Sequence, residues 1–229
     1  MRSIICSQNR TGSNFLRFLL VGHPELRVGG ELCNPPVVKK YGAKILEPFP
    51  EATITADLKG WLKHIWAHCD IWNAHDSNEL GVYDLIAKDK RVKVVFLSRE
   101  DKMAQLVSQF IAFHRDVWVL FVGSERPKEP APFVMDKRRA LQSLWHHRRD
   151  RETVKGLLRH HESIDITYEQ LAQKTETTIN RVTNFLGVSR QVLQPTTQKI
   201  LTKHPREYVI NYDEICALAK RDGLIGGNV

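Results

Sequence analysis

The segment that most constrains the fold is the first one, "RSIICSQNRTGSNFLRFLLV" at 2–21. A short apolar run, "RSIIC" (2–6), passes through a polar stretch containing Gly12 into a nearly continuous apolar run, "NFLRFLLV" (14–21). The first run predicts a buried strand. The second predicts a helix, with Ser13 or Asn14 able to cap it.

The same alternation continues along the chain. "GHPELRVGGELCNPP" (22–36) reads as a loop with a short strand at "RVGGEL". "DLKGWLKHIWAHC" (57–69) places Leu58, Trp61, Leu62, Ile65 and Trp66 at helical spacing, and "ELGVYDLIAKDK" (79–90) reads as another helix. "VKVVFLS" (92–98) is β-branched, apolar and flanked by charge, the clearest strand of the chain. A long helix is expected over 102–121, a basic helix over 137–161, a strand at "SIDITY" (163–168), and one long helix or a helix pair over 169–188. The Pro-rich stretch "GSERPKEPAPF" (123–133) reads as a mobile loop, about 122–136, within a single domain spanning 1–229. The expected fold is therefore an α/β, three-layer, P-loop-like domain with a central, mostly parallel sheet flanked by helices. Ligands of such sheets sit beyond the carboxyl ends of the strands.

Composition narrows the partners. A net charge of +8 favours anionic ligands without choosing among nucleic acid, phosphorylated small molecules and an anionic surface. Cys6, Cys33, Cys69 and Cys216 form no CxxC pair, so free thiols are expected rather than a zinc cluster or a disulfide framework. No secretory signal and no run of about 18 apolar residues is present, so a cytoplasmic protein without a membrane span is expected.

The opening loop carries the chemistry. The first N–H groups of a helix have no internal partner and point at an incoming anion, and the helix dipole adds to the attraction. Gly12 lets backbone approach a ligand; Thr11, Ser13 and Asn14 supply short donors, and Arg10 a fixed charge. The nucleotide-triphosphatase pattern GxxxxGK[ST] is absent, with its lysine and its Mg-binding hydroxyl. The strand at 92–98 ends in Ser98 and Arg99, which offer a metal no carboxylate. Group transfer without a metal is expected.

A second stretch, "VVFLSREDKMAQLVSQF", places Arg99 past a strand end and Ser108 on the following helix. Together the two stretches resemble the sulfotransferases that use 3′-phosphoadenosine 5′-phosphosulfate (PAPS). Arg10-Thr11-Gly12-Ser13-Asn14 looks like their 5′-phosphosulfate loop, [KR]-[ST]-G-[ST]-[STN], and Arg99 with Ser108 looks like their 3′-phosphate motif. The pattern R-x-D-K-x-x-Q-x-V-S, with Asp101, Lys102 and Gln105, is similar to the bacterial trehalose 2-sulfotransferase type. "ITYEQL…VTNFLGV" and "NYDE" resemble two later elements of that group, whereas 35–90 and 120–145 match it poorly.

The resemblance implies transfer of a sulfuryl group from PAPS to a hydroxyl of a carbohydrate or glycolipid-type acceptor, and a possible homodimer. It implies that Arg10 neutralises the bridging oxygen as the phosphate leaves. It puts Arg99 and Ser108 on the donor's 3′-phosphate, with Lys199 in "TTQKILTK" reaching the same group. Glu31 in "GGELCNP" falls at the place of the proposed general base; Glu25 in "HPEL" is the fallback. His64 and His68 lie four apart without a third metal ligand, and His146, His147, His160 and His161 read as solvated. Trp61, Trp66 and Trp72 read as core, or as a stacking surface for a sugar.

Two rivals stand beside this reading. "TTINRVTNFLGVSRQVL" (177–193) looks like a helix-turn-helix with a turn at Gly187, although Gln194-Pro195 would cut its second helix short. A small-molecule kinase with an aberrant phosphate loop would instead require Mg²⁺.

Overall fold

The structure is a computed structural model and describes residues 2–31, 60–66, 87–88 and 90–226. Five parallel strands form one sheet in the order β2-β3-β1-β4-β5. They are β1 (Arg2–Ser7), β2 (Leu26–Glu31), β3 (Gly60–Trp66), β4 (Lys93–Ser98) and β5 (Ser163–Thr167). The helices are α1 (Ser13–Val21), α2 (Lys102–Arg115), α3 (Lys137–Leu157), α4 (Tyr168–Gln173), α5 (Thr175–Leu186) and α6 (Tyr212–Arg221).

The three layers follow from strand alternation. Ile5, Val95, Leu97 and Ile166 point to one face and join α1, α4 and α5 in a buried cluster through Leu16, Leu20, Leu171, Ile179 and Val182. Cys6, Phe96 and Asp165 lie side by side on the other face. There α3 covers them: the Lys155 ammonium sits 5.1 Å above the Phe96 ring and 2.5 Å from Asp165. A second cluster, built from helices, joins α2, α3 and α6 around Met103, Leu106, Leu144, Tyr208 and Ile215.

The chain runs from β1 outward to β2, returns through β3, then crosses to β4 on the opposite side of β1. The order reverses between β1 and β4. In a parallel sheet that reversal opens a crevice at the carboxyl ends of the two strands.

Several expectations are corrected. The segment 60–66 is a strand rather than part of a helix: β3 pairs on both sides, with β1 and β2. In a run as short as "GWLKHIW", Trp61, Leu62, Ile65 and Trp66 satisfy helical spacing, and the pairing that makes it a strand is not visible in the sequence. Helix α2 stops at Arg115 because Asp116 turns left-handed (φ 52°). The apolar residues beyond it pair instead with 196–198, Gln198 N–H donating to Leu120 O at 2.8 Å. His146, His147 and His161 are buried, not solvated, since α3 presents the first two inward and His161 meets Val92 O at 2.9 Å. Helix α5 ends at a left-handed Gly187, and no helix follows before Pro205, so a recognition helix is absent there. Cys6 and Cys216 are free thiols. His68, Trp72, Cys33, Cys69 and nearly all of the helix expected at 79–90 lie outside the described residues. Among the described residues no helix is long and apolar enough to cross a membrane.

Candidate active site

The loop after β1 is built on two left-handed residues, Arg10 (φ 62°) and Gly12 (φ 84°). Gly12 is the N-cap of α1 and its carbonyl accepts from Leu16 N–H at 3.0 Å. A Cβ on Gly12 would lie 2.5 Å from the ring of Tyr168, which opens α4 at the end of β5. Only glycine tolerates both the dihedral and the close approach. Thr11 is fully buried and donates its hydroxyl to Gln8 O at 2.7 Å, so its side chain closes the loop and faces away from solvent. Gln105 Nε2, from α2, holds Asn9 O at 2.9 Å.

Arg99 follows β4 and Arg10 follows β1, so the strand order brings the two guanidinium groups together. Arg99 Nη1 donates to Arg10 O at 3.1 Å and its guanidinium stacks 4.6 Å from the centre of the Tyr168 ring. Arg10 Nε donates to Ser108 Oγ at 2.9 Å, and Nη1 to Trp118 O at 2.8 Å. Among the described residues the hydrogen bonds of both side chains go to neutral acceptors, Arg99 also stacks on an aromatic face, and neither makes an ion pair. Burial, then the neighbouring Arg99, pushes the Arg10 guanidinium down to about 10. Burial lowers Arg99 too, partly offset by Tyr168, Asp101 and Glu169. Behind them Lys102, pushed down to about 8 by burial and Arg151, donates to Arg99 O. Half-buried cations with neutral partners carry a desolvation cost that an incoming anion would offset.

These groups line a cavity of about 650 Å³ at the β1/β4 crevice. Of the residues singled out in the sequence, Arg10, Gly12, Ser13, Asn14, Arg99, Asp101, Ser108 and Lys199 line it. Thr11 does not, for the reason given. Glu31 closes β2 in register with His64 of β3, two strands from β1, or roughly 10 Å at the usual strand spacing. Glu25 does not line the cavity; its Oε1 accepts from Ser189 N–H at 3.1 Å, a structural tie.

Sequence reasoning gave no side-chain role to Tyr168, to Trp118 or to the residues of 197–203 other than Lys199, all of which line the cavity. For Tyr168 the signal was available: it follows the last strand directly, at the same carboxyl edge as Arg10 and Arg99.

A glycine loop, a helix N-terminus and paired arginines at the reversal point of a 2-3-1-4-5 parallel sheet belong to an α/β fold of the P-loop-like kind. No protein-family model matches the sequence, and no curated protein matches it. Solved structures do share the fold. A sulfotransferase from Alicyclobacillus acidocaldarius superposes with a TM-score of 0.54 at 13% identity, covering 96% of this chain and 91% of its own. The sulfotransferase domain of the curacin biosynthetic pathway superposes at 0.51 and 16% identity, covering 96% of both chains.

Proposed function

We infer that the chain is a sulfotransferase that moves a sulfuryl group from PAPS to an acceptor hydroxyl. The observation that carries this reading is the adjacent, half-buried Arg10–Arg99 pair, which makes no ion pair among the described residues, at the crevice of a fold shared with sulfotransferases. The residues suit a ligand with two anionic ends. The Gly12–Asn14 turn and the N-terminus of α1 receive the 5′-phosphosulfate; Arg99, Ser108 and Lys199 receive the 3′-phosphate, which distinguishes PAPS from ATP. Arg10, on the 5′ side, offsets the charge that develops on the bridging oxygen as the phosphate leaves.

The acceptor reading is a carbohydrate or glycolipid hydroxyl, with Glu31 as the base that takes its proton. It rests on the likeness of the R-x-D-K-x-x-Q-x-V-S stretch to the trehalose 2-sulfotransferase type.

The test is calorimetric titration with 3′-phosphoadenosine 5′-phosphate (PAP), the product nucleotide, beside ATP with Mg²⁺. Metal-independent binding of PAP, weakened at least about tenfold in Arg10→Ala and in Arg99→Ala, is expected, since each removes charge-assisted hydrogen bonds. Glu31→Gln is expected to spare that binding and lower turnover. Unchanged PAP affinity in both arginine variants, or preference for Mg-ATP, overturns the reading.

A further inference from the structure

Residues 188–204 have no helix and only a single antiparallel bridge, Phe121 to Thr197, yet 197–203 form one wall of the cavity. Leu201 packs against the helical cluster, but Lys199, Thr202 and Lys203 are exposed, so burial leaves most of this strap unfixed. Two side chains of the Pro-rich loop do. Arg126 Nη1 donates to Lys199 O at 2.7 Å and Ile200 O at 3.1 Å, and Nη2 to Gln198 Oε1 at 3.2 Å. Glu129 Oε1 accepts from Thr202 N–H at 3.3 Å and Oγ1 at 2.6 Å, while Oε2 accepts from the Tyr208 hydroxyl at 2.5 Å. That hydroxyl in turn accepts from Lys203 N–H at 3.1 Å. Neither Arg126 nor Glu129 lines the cavity.

The arrangement has a chemical consequence. An anion is repelled by carbonyl oxygens and attracted by ammonium groups. Arg126 turns two consecutive carbonyls, Lys199 and Ile200, onto a guanidinium outside the cavity. The side chains of Lys199 and Lys203 make no ion pair among the described residues and stand on the cavity wall.

We propose that Arg126 and Glu129 are positioning residues that hold the strap so that its lysines meet the 3′-phosphate of the donor. This rests on the donor reading above and extends it to a loop outside the cavity. A chain with a loosened strap still has its 5′ site, because the Gly12 turn makes no bond to either residue.

The experiment compares PAP with 5′-AMP, which lacks the 3′-phosphate, by calorimetry on the full chain. Arg126→Ala and Glu129→Ala are each expected to weaken PAP about tenfold while leaving 5′-AMP unchanged. Lys199→Ala is expected to weaken PAP in the wild-type background and to add little once Arg126→Ala is present. Equal weakening of both nucleotides would show general loosening and overturn the proposal, as would full additivity of Lys199→Ala and Arg126→Ala. Wild-type binding of PAP with unaltered binding in both loop variants overturns the proposal alone. Failure of the wild-type chain to bind PAP overturns the donor reading, and the proposal with it.

Discussion

Gly12 shows how little freedom the loop after β1 has. Its φ of 84° is open to glycine at no cost, and the Tyr168 ring occupies the space of a side chain. The same ring stacks on Arg99, so it cannot retreat without giving up that contact. Gly12→Ala is therefore expected to lower stability by about 1–3 kcal/mol from backbone strain alone, with a further loss from the displaced ring. Thermal denaturation checks the first effect and PAP titration the second. A variant as stable as the wild type would show that Tyr168 is free to move. Arg10 and Arg99 were legible as candidates from their positions after apolar runs. Their mutual contact was not, because 89 residues separate them and only the strand order makes them neighbours.

At the scale of elements, α2 matters most, because it carries Gln105 and Ser108 to the loop after β1. Asp101 caps it, Oδ1 accepting from Ala104 N–H at 2.7 Å. Glu169 of α4 accepts from Glu100 N–H and Asp101 N–H at 3.0 and 3.3 Å, so another element secures the same turn. Asp101→Ala is expected to cost about 1 kcal/mol. In a chain of this size that lowers the melting temperature by about 2–4 °C, read by calorimetry, and an unchanged value would mean that Glu169 alone holds the turn. Strand β4 was readable because its β-branched run is bounded by charge. Strand β3 was not, since the helical spacing of its apolar residues competes with a pairing that only β1 and β2 supply. Similarly, residues 117–121 look like more of α2, but Leu120, Phe121 and Val122 are bound to 196–198, a segment distant along the chain.

At the scale of the whole molecule, the concentration of half-buried cations sets a pH dependence. Lys102 is ordinary at 10.5 and pushed down to about 8 in the fold, first by burial and then by Arg151. Between those values the unfolded chain binds more protons than the folded one. Stability therefore rises with pH across about 8 to 10.5, and the full penalty of the buried charge is present below about 8. Arg10, pushed down by burial and by Arg99, adds a rise of the same sign at higher pH. Urea denaturation at about pH 7 and about pH 9.5 is expected to show a smaller alkaline gain in Lys102→Met than in the wild type, and equal gains would contradict the assignment.

The residues alone determined the layered α/β class, the polar glycine turn between β1 and α1, and the excess of positive charge. These are local or additive properties: periodicity along a few residues, the dihedral freedom of one glycine, a sum of charges. The tertiary structure decided which cations stand together at the crevice, that Thr11 turns inward, that Tyr168 covers Gly12, and that a Pro-rich loop is hydrogen-bonded to the wall carrying Lys199. Each of these depends on contacts between residues far apart in the chain. Such contacts follow from the order in which parallel strands pack, which short-range pattern does not encode.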